Sequence, residues 1–133
     1  MIVLDASAAV DVILELGPEG EWVASELAGA ESLHAPHLID SEVASALRKL
    51  TLAGEISARR GTAALRHFLD LRLIRYPAEP LLPRICQLRH SLTAYDATYI
   101  TLAESLGAPL LTTDRGIGGS RGHRAVVSAF PGR

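Results

Sequence analysis

The sequence has a single cysteine, Cys86, no apolar run long enough to cross a membrane, and no excess of positive charge. One cysteine leaves no partner for an internal disulfide, which fits a reducing compartment, and a cytoplasmic setting is expected. Asp5 interrupts the apolar start of the chain, and no later stretch approaches the roughly 18 uninterrupted apolar residues of a membrane span. A soluble protein without a cleaved signal is the expectation. Long Ser-, Pro- or Gln-rich stretches and internal repeats are also missing, which argues against a substantial disordered tail or linker. A net charge of −2 denies the chain the broad positive field by which a basic domain attracts nucleic acid.

What is present is a chain of 133 residues, 48% of them apolar and spread evenly, which suits one domain spanning 1–133 around one core. Its few positive charges are unevenly placed. Twelve of the 13 basic residues are Arg, and Arg115, Arg121, Arg124 and Arg133 follow Asp114 with no acid among them. This segment reads either as a solvated loop or as a set of phosphate contacts, with Arg115, Arg121 and Arg124 as the candidates.

Apolar periodicity, with Gly and Pro as punctuation, predicts alternating strands and helices. Ile2-Val3-Leu4 reads as a buried strand, Ala8 to Leu16 as a helix stopped by Gly17-Pro18, and Glu21 to Leu27 as a second helix. A strand over Ser32 to Ala35 is broken by Pro36. Helices follow over Leu38 to Leu52, closed by Gly54, and over Ser57 to Leu69. Leu71 to Tyr76 is strand-like, Pro80 to His90 and Ala94 to Leu106 are helical with Gly107 as the stop, and Pro109 to Thr112 is a strand. Ala125 to Val127 can add an edge strand. Strands that alternate with helices imply a parallel sheet covered on both faces, because each crossover needs a helix to return the chain.

Against this frame, several acids occupy costly positions. On a helical wheel from Leu38, Glu42 falls inside the arc of Ile39, Val43, Ala46, Leu47 and Leu50, while Asp40 lies at its edge. In the helix beginning at Ala94, Asp96 falls between Ala103 and Ile100, whereas Glu104 projects to the polar side. Asp5 and Asp114 follow candidate strands, at the carboxyl ends where open parallel sheets bind ligands. Singly, Asp5 and Asp114 also read as caps and Asp96 as a first-turn acid. Together they suggest oxygen ligands for a hard cation, since burying an unpaired carboxylate costs several kcal/mol and a domain is stable by only about 5 to 15 kcal/mol. Oxygen donors suit Mg²⁺ or Mn²⁺ better than Zn²⁺.

Val3-Leu4-Asp5-Ala6-Ser7, the Glu42 helix in Asp-Ser-Glu-Val-Ala-Ser-Ala-Leu, Tyr95-Asp96-Ala97-Thr98-Tyr99 and Leu111-Thr112-Thr113-Asp114 resemble the ordered acidic motifs of PIN domains. The resemblance covers nearly the whole chain and is strongest to the VapC toxins, through Leu102 to Gly107 and Thr112 to Asp114. It implies a three-layer α/β/α fold with a central parallel sheet and a Mg²⁺-dependent endoribonuclease activity, with Mn²⁺ as an alternative ion. It also implies RNA as substrate, a homodimer and a VapB-like antitoxin as partner. Asp5, Glu42, Asp96 and Asp114 would be the catalytic, metal-holding acids, with Ser7 and Thr113 as supporting hydroxyls that read equally as local caps. The Gly116 to Gly122 segment departs from the helix that often follows the fourth acid in this family.

Competing readings remain. A housekeeping PIN nuclease would use the same acids, a catalytically silent binding module would have no need of all four, and a haloacid-dehalogenase-type phosphatase would require an acid where Ser7 stands. His34 and His37 lack the Cys partners of a zinc site and read as structural or solvent-facing. The Gly-rich segment lacks the Gly-Lys-Ser/Thr ending of a phosphate-binding loop. Trp22 reads as core or dimer surface, and Tyr95 and Tyr99 as packing partners on one face.

Overall fold

The computed structural model describes residues 1–131, so Arg133 lies outside the described residues. Its elements run β1 (Ile2–Leu4), α1 (Ala6–Ile13), α2 (Gly17–Ala28), β2 (Leu33–Pro36), α3 (Leu38–Leu52), α4 (Ala58–Asp70) and β3 (Ile74–Tyr76). A 3₁₀ turn at Glu79–Leu81 leads into α5 (Leu82–Gln87), α6 (Ala94–Leu106), β4 (Leu110–Thr112), α7 (Arg115–Gly118) and β5 (Val127–Ala129).

All strand pairings are parallel, in the order β3-β2-β1-β4-β5. The chain steps outward from β1 through β2 to β3, then crosses back to β4 and β5 on the other side. Right-handed crossovers in opposite directions place their helices on opposite faces. Accordingly α1 packs against α2, α3 and α4, while α6 packs against α5 and lies on β1, β2 and β4. The result is the three-layer α/β/α arrangement. Strands covered on both faces need apolar side chains throughout, and Val3, Leu4, Leu110 and Leu111 are all buried.

Several boundaries differ from the sequence reading for local reasons. Gly17-Pro18 does not only stop α1; it opens α2, because proline's fixed φ and missing N–H suit the first helical turn. Pro36 ends β2 rather than breaking it before that point, since the pairing of β2 with β1 reaches only His34 and Pro36 pairs on the β3 side. The expected helix over Pro80 to His90 divides into the 3₁₀ turn and α5. The loop expected after Asp114 begins with a short helix, α7, for which Asp114 is the cap.

The largest departure is α6. Every residue from Ala97 to Ala103 is buried, so this helix is a core element sandwiched between sheet and α5, not an amphipathic one. Tyr99 is buried while Tyr95, one turn earlier, is exposed, so the two do not share an environment. Glu104 does not face water either: its side chain is 6% exposed and pairs with Arg84 at 2.9 Å. The helix ends at Gly107 in the left-handed conformation (φ 61°), which lets its N–H return to the Ala103 and Glu104 carbonyls.

Candidate active site

The strand order reverses between β1 and β4, so the crevice outside their carboxyl ends is a topological switch point of the kind at which open parallel sheets bind ligands. Asp5 leaves β1 into this crevice and caps α1. Its Oδ1 accepts the Ala8 N–H at 2.9 Å and the Ser7 hydroxyl at 2.7 Å, and its Oδ2 accepts the hydroxyl of Thr112, the last residue of β4. Asp5 is only 2% exposed. Burial pushes its carboxyl up to about 6; the donated hydrogen bonds offset part of that, and the nearby Asp114 charge adds to it.

Asp114 is exposed at the end of β4 and caps α7, accepting the N–H groups of Gly116 and Ile117 at 2.7 and 3.4 Å. Its own N–H donates to the Thr112 hydroxyl oxygen at 2.9 Å. Asp96 sits in the first turn of α6, with its N–H donated to the capping Thr93 hydroxyl at 3.1 Å. Partial burial and the Asp114 charge raise the Asp96 carboxyl above its ordinary value, against a smaller opposing effect of Thr93. Glu42, half-buried on α3, accepts the Tyr99 hydroxyl of α6 at 2.5 Å. Burial and the Glu42 carboxylate hold the Tyr99 phenol far above its usual range, with a contribution from Asp5, so it is a protonated donor at any working pH.

Asp5, Asp96 and Asp114 therefore lie in one electrostatic neighbourhood, and Glu42 joins it through Tyr99. Ion pairs link Arg75 with Asp40 and Arg84 with Glu104, and neither involves these acids. Among the described residues, no three His, Cys, Asp or Glu side chains stand close enough to hold an ion between them.

The predicted hydroxyls divide. Ser7 binds Asp5 and accepts the Thr113 N–H at 3.2 Å, tying α1 to the end of β4. The Thr113 hydroxyl instead acts on Asp11, a half-buried α1 acid raised by burial and, less strongly, by Glu19. Three participants escaped the sequence reading: Thr112, Tyr99 and Asp11. Asp11 was signalled by its spacing, one helical turn after Ser7, and Thr112 by its polarity in an otherwise apolar strand.

The arginines also divide. Arg115, the first residue of α7, is exposed directly beside Asp114. Arg121 is exposed in the following loop, which is strapped down where the Gly122 carbonyl accepts from Arg84 at 3.3 Å. Arg124 precedes β5 and donates its N–H to Glu104 at 2.7 Å, at the amino end of the sheet and away from the acids. Arg84, with Arg124, holds the Glu104 carboxyl down at about 2. The histidines are structural or outward-facing: His34 is buried between Ser32 and Tyr76 at 2.7 and 2.6 Å, and His37 is exposed. Trp22 packs edge-on against Phe130 with ring centroids 5.7 Å apart.

Comparison with known proteins gives this geometry a family. The PIN domain model matches residues 2–118. Ribonuclease VapC9 of Mycobacterium tuberculosis is 46% identical over 114 residues, covering 86% of each chain. Ribonuclease VapC12 of the same organism is 43% identical over 127 residues, covering 96% of this chain and 97% of the relative. Among solved structures, VapBC2 from Rickettsia felis, bound to a DNA fragment from its promoter, superposes with a TM-score of 0.66 over 98% of this chain and 99% of that one; at 15% identity the likeness is one of fold. The chain belongs to the PIN-domain family and, within it, to the VapC group.

Proposed function

We propose that this chain is a divalent-metal-dependent endoribonuclease and the toxin of a cytoplasmic toxin-antitoxin pair, restrained by a VapB-like antitoxin and assembled as a homodimer. One observation carries the site assignment: Asp5 is a buried carboxyl at the switch point, raised to about 6, with further acids close by and, among the described residues, no ion pair to a cationic side chain. The activity is the one for which relatives covering 86% and 96% of this chain are named.

The donor set fits a hard cation, since Asp5, Glu42, Asp96 and Asp114 offer oxygen alone and the neighbourhood holds uncompensated negative charge. In this assignment those four acids hold Mg²⁺ or Mn²⁺. Because no three of them approach closely as they stand, sharing one ion requires the side chains to draw together once their repulsion is screened. When bound, such an ion polarises a phosphodiester oxygen and makes a water more acidic.

The protein's own groups do the rest. Ser7, Ala8 and Thr112 fix the Asp5 carboxylate from three sides, so its position is set before substrate arrives. A carboxylate of this cluster left free of the ion would accept the proton of the attacking water. Exposed Arg115 meets backbone phosphate at the mouth of the crevice.

The deciding experiment incubates purified protein with total RNA in Mg²⁺ or EDTA, beside an Asp5→Asn control, and maps the cut ends. Discrete cuts that need both Mg²⁺ and Asp5 are expected. Cleavage that survives EDTA or the Asp5 change would overturn the metal-site reading. Co-expression with a VapB-like antitoxin should abolish cleavage if the chain is a toxin.

A further inference from the structure

Glu42 differs from the other acids in having no backbone or cap that fixes it. Asp5 and Asp114 are each held by N–H groups of the helix they cap, and Asp96 sits in the capped first turn of α6. Glu42 projects from the second turn of α3 on a longer side chain, and its carboxylate accepts the hydroxyl of Tyr99, on the opposite layer. That phenol joins the two helical layers at the carboxyl end of β1, the central strand. Its ring is 2% exposed within α6, its hydroxyl reaches α3, and the Ala6 N–H, next to Asp5, also acts on its oxygen. One hydroxyl thus touches the segments that carry Asp5, Glu42 and Asp96.

We propose that Tyr99 is the positioning residue of this site: its hydroxyl holds Glu42 in register with Asp5, so that the acid from α3 serves the same ion as the acids at the ends of β1 and β4. The proposal rests on the metal-site reading above. Its physical basis is that an unrestrained Glu keeps three rotatable bonds, and ordering it must be done again each time an ion binds. A donor already fixed in the core narrows that search, so that only the closing of the acids onto the ion is left to binding. The ring cannot turn away, because Ala97 to Ala103 are packed on all sides. Phenol oxygen has one proton to give, and Glu42 receives it at 2.5 Å. Partners that orient a ligand in this way are typically worth about 10-fold to 100-fold in metal affinity or activity.

Tyr99→Phe keeps the buried ring and deletes only the hydroxyl, so the fold should survive, as a thermal melt in EDTA would register. The test measures Mn²⁺ affinity of the full chain by calorimetry, and cleavage of total RNA, for wild type, Tyr99→Phe, Glu42→Gln and the double variant. Tyr99→Phe should weaken Mn²⁺ binding and slow cleavage by about 10-fold or more. In the Glu42→Gln background it should cost almost nothing further, because the two residues act as one unit. A merely structural tyrosine would add its loss in full to that of Glu42→Gln, and that result, or wild-type Mn²⁺ affinity in Tyr99→Phe, overturns the inference while leaving the site reading intact. If Glu42→Gln itself binds Mn²⁺ and cleaves as wild type does, Glu42 is no ligand, and the site reading falls together with the role given to Tyr99.

Discussion

The Thr112 hydroxyl donates to Asp5 Oδ2 while its oxygen accepts the Asp114 N–H at 2.9 Å, so one buried side chain holds the ends of β1 and β4 together. Thr112 is fully buried, and its single proton and one lone pair are spoken for. The separation of the two acids is thus set by a residue that is itself not an acid. Two strands paired in register at Val3–Leu110 and Leu4–Leu111 bring it there.

Thr112→Val should therefore be costly despite its matched shape. It removes a donor from a buried carboxylate and leaves the Asp114 N–H without its acceptor, a loss of about 1 to 3 kcal/mol for such a group. It should also raise the Asp5 carboxyl further, because the Thr112 hydrogen bond is among the effects that lower it. Urea unfolding in EDTA should show a larger loss at pH 8, where Asp5 must ionise, than at pH 5. Equal losses at both pH values would show that Thr112 does not act through Asp5.

Asp5→Asn should stabilise the metal-free protein at neutral and higher pH. The sign follows from proton binding. The folded carboxyl holds its proton up to about pH 6, against 3.8 as the ordinary value, so the folded state binds more protons between them and stability falls as pH rises through that window. Above it the ionised group costs on the order of 3 kcal/mol at 1.36 kcal/mol per unit, comparable with the burial of one leucine. The neutral amide carries no such cost, and the hydroxyls around it can reorient to meet its N–H. Melts in EDTA from pH 4 to 8 should converge at the acid end, separate as the pH rises towards 6 and stay apart above it, with the variant higher. Added Mg²⁺ should reverse the order, since an ion that binds only the folded wild type stabilises it by mass action. A variant that melts below wild type at pH 8 in EDTA would mean that Asp5 serves chiefly as a helix cap.

The alternation of strands and helices was legible because 3.6-residue and buried-strand patterns are local, and α3 matches its expected bounds at Leu38–Leu52. Glu42 and Asp96 stood out in the sequence because a carboxylate inside an apolar arc conflicts with its surroundings, and Asp5 and Asp114 because they follow strands. Tyr99 did not, because tyrosine in a buried helix conflicts with nothing until a partner 57 residues away is brought beside it, while Thr112 and Asp11 carried only the faint signals of a polar residue in an apolar strand and of helical spacing from Ser7. Helix α6 misled for a related reason: the wheel assumes a solvent face, and burial between a sheet and α5 removes it.

The arginines of the C-terminal segment should differ in their effect on RNA. Arg115 stands exposed beside Asp114, whereas Arg124 is tied to Glu104 at the other end of the sheet. Arg115→Gln should weaken binding of an inactive Asp5→Asn protein to total RNA and reduce the dependence of log affinity on log salt by about one unit. Arg124→Gln should leave both nearly unchanged. If Arg124 carries the larger effect, RNA passes along the β5 edge and not over the crevice.

Asp96→Asn separates a ligand from a cap, since Asp96 stands in the first turn of α6 and beside Asp114 at once. Its backbone N–H makes the 3.1 Å bond to the capping Thr93, and the Thr93 hydroxyl's bond to its carboxyl can be accepted equally by the amide oxygen of Asn, so the helix start survives the change. Its carboxyl is raised by partial burial and by the Asp114 charge, and a neutral amide relieves both. The folded acid holds its proton to higher pH than the unfolded one, so its stabilising effect is complete at acid pH and lost as pH rises through the folded value. In EDTA near pH 7 the variant should melt with wild type or slightly above it. In Mg²⁺ the wild type should gain more, because the variant has lost a ligand, and cleavage by the variant should be abolished. The two measurements test different halves of the claim. A variant that melts well below wild type in EDTA marks Asp96 as structural, through helix-dipole stabilisation of α6, and one that cleaves at the wild-type rate removes it from the metal site.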